Sequence, residues 1–145
     1  MIKTLSPEIL PHLFVGAAIE ATRIMHENPN NIKKVIAVID SPFNLGIESK
    51  VDSVMRLRLT DCKWLSLSEN FEEAFDFIDE ALEKKSNILV HCSVGENRSV
   101  ALVIAYIMCR HQKSFEEVHD LMKRKYDKTN LSPDFVEGLR AYENQ

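Results

Sequence analysis

The residues His91-Cys92-Ser93-Val94-Gly95-Glu96-Asn97-Arg98-Ser99 set a thiol and a guanidinium at either end of a five-residue segment. Ile88-Leu89-Val90 before them reads as a short buried strand, and the apolar run from Val100 to Cys109 after them as a helix. A loop that curls from a strand into a helix N-terminus turns successive backbone N–H groups inward, and the helix adds about half a positive charge to that rim. Such a loop is an anion cradle. Arg98, at the helix start, offers two parallel N–H donors to the oxygens of a phosphate-like anion, where a lysine would act as a point charge. Gly95 permits the tight turn. Cys92, at the base, feels the same amides, helix dipole and guanidinium, and all three favour its thiolate. A thiolate aligned beneath a bound tetrahedral anion is a nucleophile. An isolated cysteine after a buried strand would read as a small core residue. The Gly, Arg and Ser that follow it reverse that reading.

The elements that must hold this loop alternate between strand and helix patterns. His12-Leu13-Phe14-Val15 is a short apolar strand ending at Gly16, and Ala17, Ala21, Ile24 and Met25 then fall at helical spacing until Asn28-Pro29. Lys34 to Asp40 is rich in Val and Ile and closes at Ser41-Pro42, as a buried strand does. From Met55 to Leu59, apolar residues alternate with Arg56 and Arg58, the pattern of a half-buried strand near a sheet edge. Phe71, Ala74, Phe75, Ile78, Ala81 and Leu82 predict a helix over 70–84, with Asn70 and Glu73 placed as a capping box. Ser114 and Glu117 cap a further helix, and Ser132-Pro133 start a last one. The expected fold is α/β, a single domain over residues 1–145, with a mostly parallel twisted sheet of about five strands flanked by helices. In such sheets a ligand binds beyond the carboxyl ends of the strands, where Asp40, Asp61 and Cys92 all lie.

Composition narrows the function classes. The chain has 145 residues, 45% hydrophobic and 28% charged, enough to bury one core. Its formal net charge of −4 gives no general attraction to nucleic acid or anionic lipid, so any polyanion has to be recognised locally. No apolar run reaches the length of a membrane helix, and Met1 to Pro7 lacks the features of a signal peptide or a myristoylation site. A cytoplasmic location and no membrane partner are the expectations. Three cysteines at wide spacings argue against a disulfide framework or a zinc site. His12, His26, His111 and His119 share no spacing with acidic ligands, so neither a metal nor another cofactor is expected.

The loop matches, at every fixed position, the His-Cys, five residues, Arg, Ser or Thr signature of the cysteine-dependent protein phosphatases. The chain resembles most closely their compact dual-specificity branch. The likeness runs from Leu13-Phe14-Val15-Gly16 through Asp61 and Phe71-x-x-Ala74-x-x-Phe77-Ile78 to Tyr142-Glu143. The resemblance implies a phosphatase acting on phosphorylated protein, on phosphotyrosine together with phosphoserine or phosphothreonine, through a phosphocysteine intermediate. Cys92 would be the nucleophile and Arg98 the phosphate clamp. Ser93, Val94, Gly95, Glu96 and Asn97 would line the phosphate loop with Arg98, and Ser99 would hydrogen-bond the sulfur and ease its departure. Asp61, 31 residues before the nucleophile and ten before Phe71, would be the general acid and later the base that activates water. Asp40 is the weaker candidate for that role, and a turn residue bonding its own backbone is the bland alternative for either.

Departures from the pattern carry information too. The branch more often has Ala and Ser where this chain has Val94 and Asn97, and neither change removes a reacting group. Glu96 sets a negative charge beside the pocket, which disfavours highly anionic lipid headgroups. Leu59-Thr60 before Asp61 departs from the Trp-Pro-Asp of the tyrosine-specific branch. Asn97-Arg98 is similar to relatives that act on RNA 5′ phosphates, but the acidic total disfavours nucleic acid. The alternatives left open are a catalytically weak module that binds phosphoresidues, or a phosphatase of RNA 5′ phosphates or phospholipid. His91, pointing away from Cys92 along the extended chain, is expected to shape the loop by hydrogen-bonding backbone. Cys62 would form a reversible disulfide with Cys92 only if their Cα atoms came within about 6 Å. Cys109 is expected in the core. Trp64 either lines the pocket mouth or packs the loop.

Overall fold

The structure is a computed structural model and describes residues 6–39, 46–59, 61–93 and 96–145. Five strands form one sheet: β1 (Glu8–Leu10), β2 (Leu13–Ala17), β3 (Ile32–Ile39), β4 (Ser53–Arg58) and β5 (Asn87–Cys92). Their order is β1-β2-β5-β3-β4, with all pairs parallel except β1 with β2. The helices are α1 (Ala18–Arg23), α2 (Trp64–Ser68), α3 (Phe71–Glu83), α4 (Arg98–His111), α5 (Phe115–Lys125) and α6 (Pro133–Glu143). The expected α/β class and parallel sheet are what the chain forms. Two short elements, β1 and α2, go beyond the pattern, because three and five residues are too few for a hydrophobic period to register.

β5 is central because it is apolar on both faces, and both are covered. On one side Val15, Ile36, Val38, Leu57, Val90 and Cys92 meet α3 and α4 in the main core. On the other, Phe14, Val35 and Leu89 meet Ala21 of α1 and Ile24 just after it. Helix α4 is buried from Ser99 to Met108, as an almost wholly apolar helix must be. Cys109 is a correction: it is exposed, because the last turn of α4 emerges from the core there.

Helix α3 is tied to α4 by Asp79, which accepts hydrogen bonds from Tyr106 Oη at 2.6 Å and Arg110 Nε at 3.0 Å. Burial opposes ionisation of Asp79, but the Arg110 and Tyr106 bonds outweigh it and hold the carboxyl below its usual range. The capping box at Ser114 and Glu117 forms with both reciprocal bonds. The one expected at Asn70 does not: Asn70 Nδ2 instead donates back to the Ser66 carbonyl at 2.9 Å, since α2 ends immediately before α3. Among the described residues no helix is long and apolar enough to cross a membrane.

Candidate active site

Cys92 is the last residue of β5 and Arg98 the first of α4, so the loop between them opens at the carboxyl end of the central strand. In register, Ala17, Cys92, Val38 and Leu57 lie side by side across four parallel strands. This apolar row buries Cys92 to 2% exposure. The sulfur is gripped from the start of α4. The Ser99 backbone N–H donates to it at 3.4 Å, and the Ser99 hydroxyl lies 3.3 Å away. That hydroxyl is also 3.4 Å from the Gly16 carbonyl, so its proton has two acceptors within reach. Ser99 is fully buried and placed to stabilise negative charge on sulfur. Arg98 is half-buried beside it.

Backbone bonds hold two described residues at the loop's ends. The Ser93 carbonyl accepts from Ala18 N–H at 3.3 Å, which pins the loop's start to α1. The Glu96 carbonyl accepts from Asn130 N–H at 2.9 Å, which pins its end to the segment before α6. Val94, Gly95 and the weaker acid candidate Asp40 lie outside the described residues.

Asp61 follows β4 and is exposed, with Oδ1 accepting Lys63 N–H at 3.2 Å. The local turn bond foreseen as the bland alternative is therefore present. What joins this segment to the phosphate loop is Asn97. Its Nδ2 donates to Cys62 Sγ at 3.6 Å, and its Oδ1 accepts Ser132 N–H at 2.9 Å. Residues adjoining Asp61 and Arg98 are thus in direct contact. Cys62 is exposed at this junction. Trp64 packs rather than lines a pocket mouth: its indole meets the rings of Phe71 and Phe135, with centroids 5.3 and 6.2 Å away.

His91 faces away from Cys92, in register with Gly16 and Ala37. It is 1% exposed, and its ring nitrogens make no well-formed hydrogen bond to a described residue, the Cys92 backbone offering only a weak version of the bond expected. Burial pushes its pKa down from 6.5 to about 4, with the Cys92 backbone opposing and Arg56 adding to the effect. The unfolded chain therefore takes up a proton that the folded one refuses. Stability is intact above about pH 6.5 and is lost as the pH falls toward 4, by at most ~1.4 kcal/mol per pH unit. Urea melts between pH 7 and 4.5 should show this slope reduced in His91→Asn; equal slopes would assign the acid sensitivity to another group.

Glu20 and Tyr126 carried no signal in the sequence, and Gly16 only a slight one. Glu20 is a buried carboxylate whose Oε1 accepts Ala17 N–H at 2.8 Å and lies 3.0 Å from where a Cβ on Gly16 would stand. Gly16 is thus a close-approach glycine, and its place at a strand end was the only hint of it. Tyr126, at the end of α5, buries a phenol with no hydrogen-bond partner among the described residues. Its pKa is raised, chiefly by burial and then by the charges of Glu20, Cys92, Glu96 and Asp127.

The chain is similar to known proteins along most of its length. A family model described as dual specificity phosphatase, catalytic domain, matches residues 13–145. The chain is 35% identical over 128 residues to human dual specificity protein phosphatase 7, covering 88% of this chain and 30% of that protein. It is 31% identical over 139 residues to dual specificity protein phosphatase 1B of Arabidopsis thaliana, covering 94% and 80%. Among solved structures, the PTP-2 phosphatase of Cydia pomonella superposes with a TM-score of 0.79 at 26% identity, over 94% of this chain and 88% of that one. The chain spans about a third of the length of the first curated relatives it matches.

Proposed function

The chain belongs to the dual-specificity phosphatase catalytic-domain family, and from that premise we propose that it hydrolyses phosphate monoesters on proteins, phosphotyrosine together with phosphoserine or phosphothreonine. The Cys92 thiolate attacks phosphorus as the P–O bond to the leaving group breaks. Asp61 gives its proton to the departing oxygen, and Arg98 with the loop amides holds the equatorial oxygens through the transition state. The product of this step is a phosphocysteine. In the second step Asp61, now a carboxylate, takes a proton from water as that water attacks phosphorus. The S–P bond breaks, with Ser99 donating to the leaving sulfur. Neither step needs a metal or another cofactor. A thiolate nucleophile must stay reduced, which suits a cytoplasmic location.

The observation that carries this reading is the grip of Ser99 on the Cys92 sulfur at the mouth of a helix dipole, with the Asp61 segment bonded to the same loop through Asn97. The test is steady-state release of phosphate from p-nitrophenyl phosphate and from phosphotyrosyl and phosphothreonyl peptides. Turnover on the peptides supports the proposal. Phosphopeptide binding with no release from any substrate would leave only a binding module. Arg98→Lys should lower kcat by about 10²- to 10³-fold, because one donor of the fork is gone and the remaining charge cannot span two oxygens. Near-normal kcat would remove Arg98 from the clamp.

A further inference from the structure

The family pattern supplies an acid on a loop, but not what holds that loop in register with the phosphate cradle. In this chain both are fastened to the first turns of α6. On the acid side, Trp64 N–H donates to Asp134 Oδ2 at 2.7 Å. Its indole lies on Gly138 so closely that a Cβ there would come within 2.1 Å of Cδ2 and 2.2 Å of Cγ. Trp64 follows Asp61 by only three residues, so its position sets where the carboxyl stands. On the cradle side, Ser132 N–H donates to Asn97 Oδ1, and Asn97 Nδ2 reaches across to Cys62 Sγ, beside Asp61. The contacts close a ring: Asp61 segment, Trp64, α6, Ser132, Asn97, Cys62 and back to Asp61.

We propose that Gly138 and Asp134 of α6, through Trp64, are positioning residues that hold Asp61 against the leaving oxygen, with Asn97 locking the same helix end to the phosphate loop. The inference rests on Asp61 being the general acid. Gly138 is needed because no side chain fits between the indole and the helix backbone. A misplacement of a reacting group by about 1 Å can cost 10²-fold in rate, so a displaced indole should be felt at the carboxyl while the nucleophile and clamp stay as they are.

The readout is the ratio of kcat/KM for phenyl phosphate, which needs a proton on its leaving oxygen, to that for p-nitrophenyl phosphate, which needs far less. Asp61→Asn sets the scale of a lost acid. Gly138→Ala, a change that favours the helix but ejects the indole, is expected to lower the ratio by about 10-fold or more. Asp134→Ala should lower it by a smaller factor, and Asp134→Asn, which keeps an acceptor oxygen for Trp64 N–H, should restore it to within about 2-fold of wild type. Should Gly138→Ala not fold, the exposed Asp134 pair carries the same comparison. An unchanged ratio in both α6 variants, or equal losses on the two substrates, overturns the positioning role while leaving the acid assignment standing. If Asp61→Asn itself leaves the ratio unchanged, the acid assignment falls and this inference falls with it.

Discussion

Cys92→Ser is expected to reduce phosphate release by about 10⁴-fold or more while leaving the cradle able to hold an oxyanion. The size of the effect follows from the chemistry. A serine hydroxyl at the base of the loop is a far weaker nucleophile than a thiolate at neutral pH, and the Ser99 N–H that faces it donates rather than taking its proton. The proposed oxyanion site, by contrast, would draw on backbone amides and Arg98, and the substitution removes neither. Vanadate or tungstate titration of the variant should give a Kd within a few-fold of wild type, alongside loss of turnover and of acid-trapped phosphoenzyme. Residual turnover within 100-fold of wild type would mean that the sulfur is not the nucleophile. Loss of both turnover and oxyanion binding would mean that the thiol holds the loop together rather than reacting.

Asp61→Asn should divide substrates by their leaving groups. Alkyl and phenyl phosphates, whose leaving oxygens must be protonated, are expected to lose about 10²- to 10⁴-fold in kcat, and p-nitrophenyl phosphate much less. Asp61 also accepts Lys63 N–H, and asparagine preserves that bond through its amide oxygen, so the substitution removes the proton without dismantling the turn. Equal losses on good and poor leaving groups would return attention to Asp40.

The two variants probe parts of the site that were legible to different degrees. Cys92, Arg98 and Ser99 fall within eight residues of one another at a strand-to-helix junction. A three-residue apolar run on one side and a ten-residue apolar run on the other located that junction to within two residues at each end. Cys92 and Ser99 then meet where a chain turning from a strand into a helix brings residues seven apart together, with Ala18 and Asn130 pinning the two ends of the turn. The capping box of α5 and the proline at the start of α6 were readable for the same reason. Asn70 shows the limit of such local rules. Its spacing to Glu73 fits a cap, but α2 ends immediately before it and offers a competing carbonyl.

The sequence by itself therefore determined the class of fold, the identity of the thiol and guanidinium, and the chemistry their loop can do, because each depends on neighbours along the chain. The tertiary structure decided how the carboxylate is held to that loop. Trp64 against Gly138, Trp64 N–H to Asp134 and Asn97 between Cys62 and Ser132 join residues 35 to 74 positions apart. In each of these contacts one partner is a backbone amide, a glycine or a surface side chain, groups that leave no periodic mark in a sequence. The outward face of Cys109 and the buried Glu20 beneath Gly16 belong with them. Whether such groups meet is a matter of packing across the fold, and packing is what only the folded chain supplies.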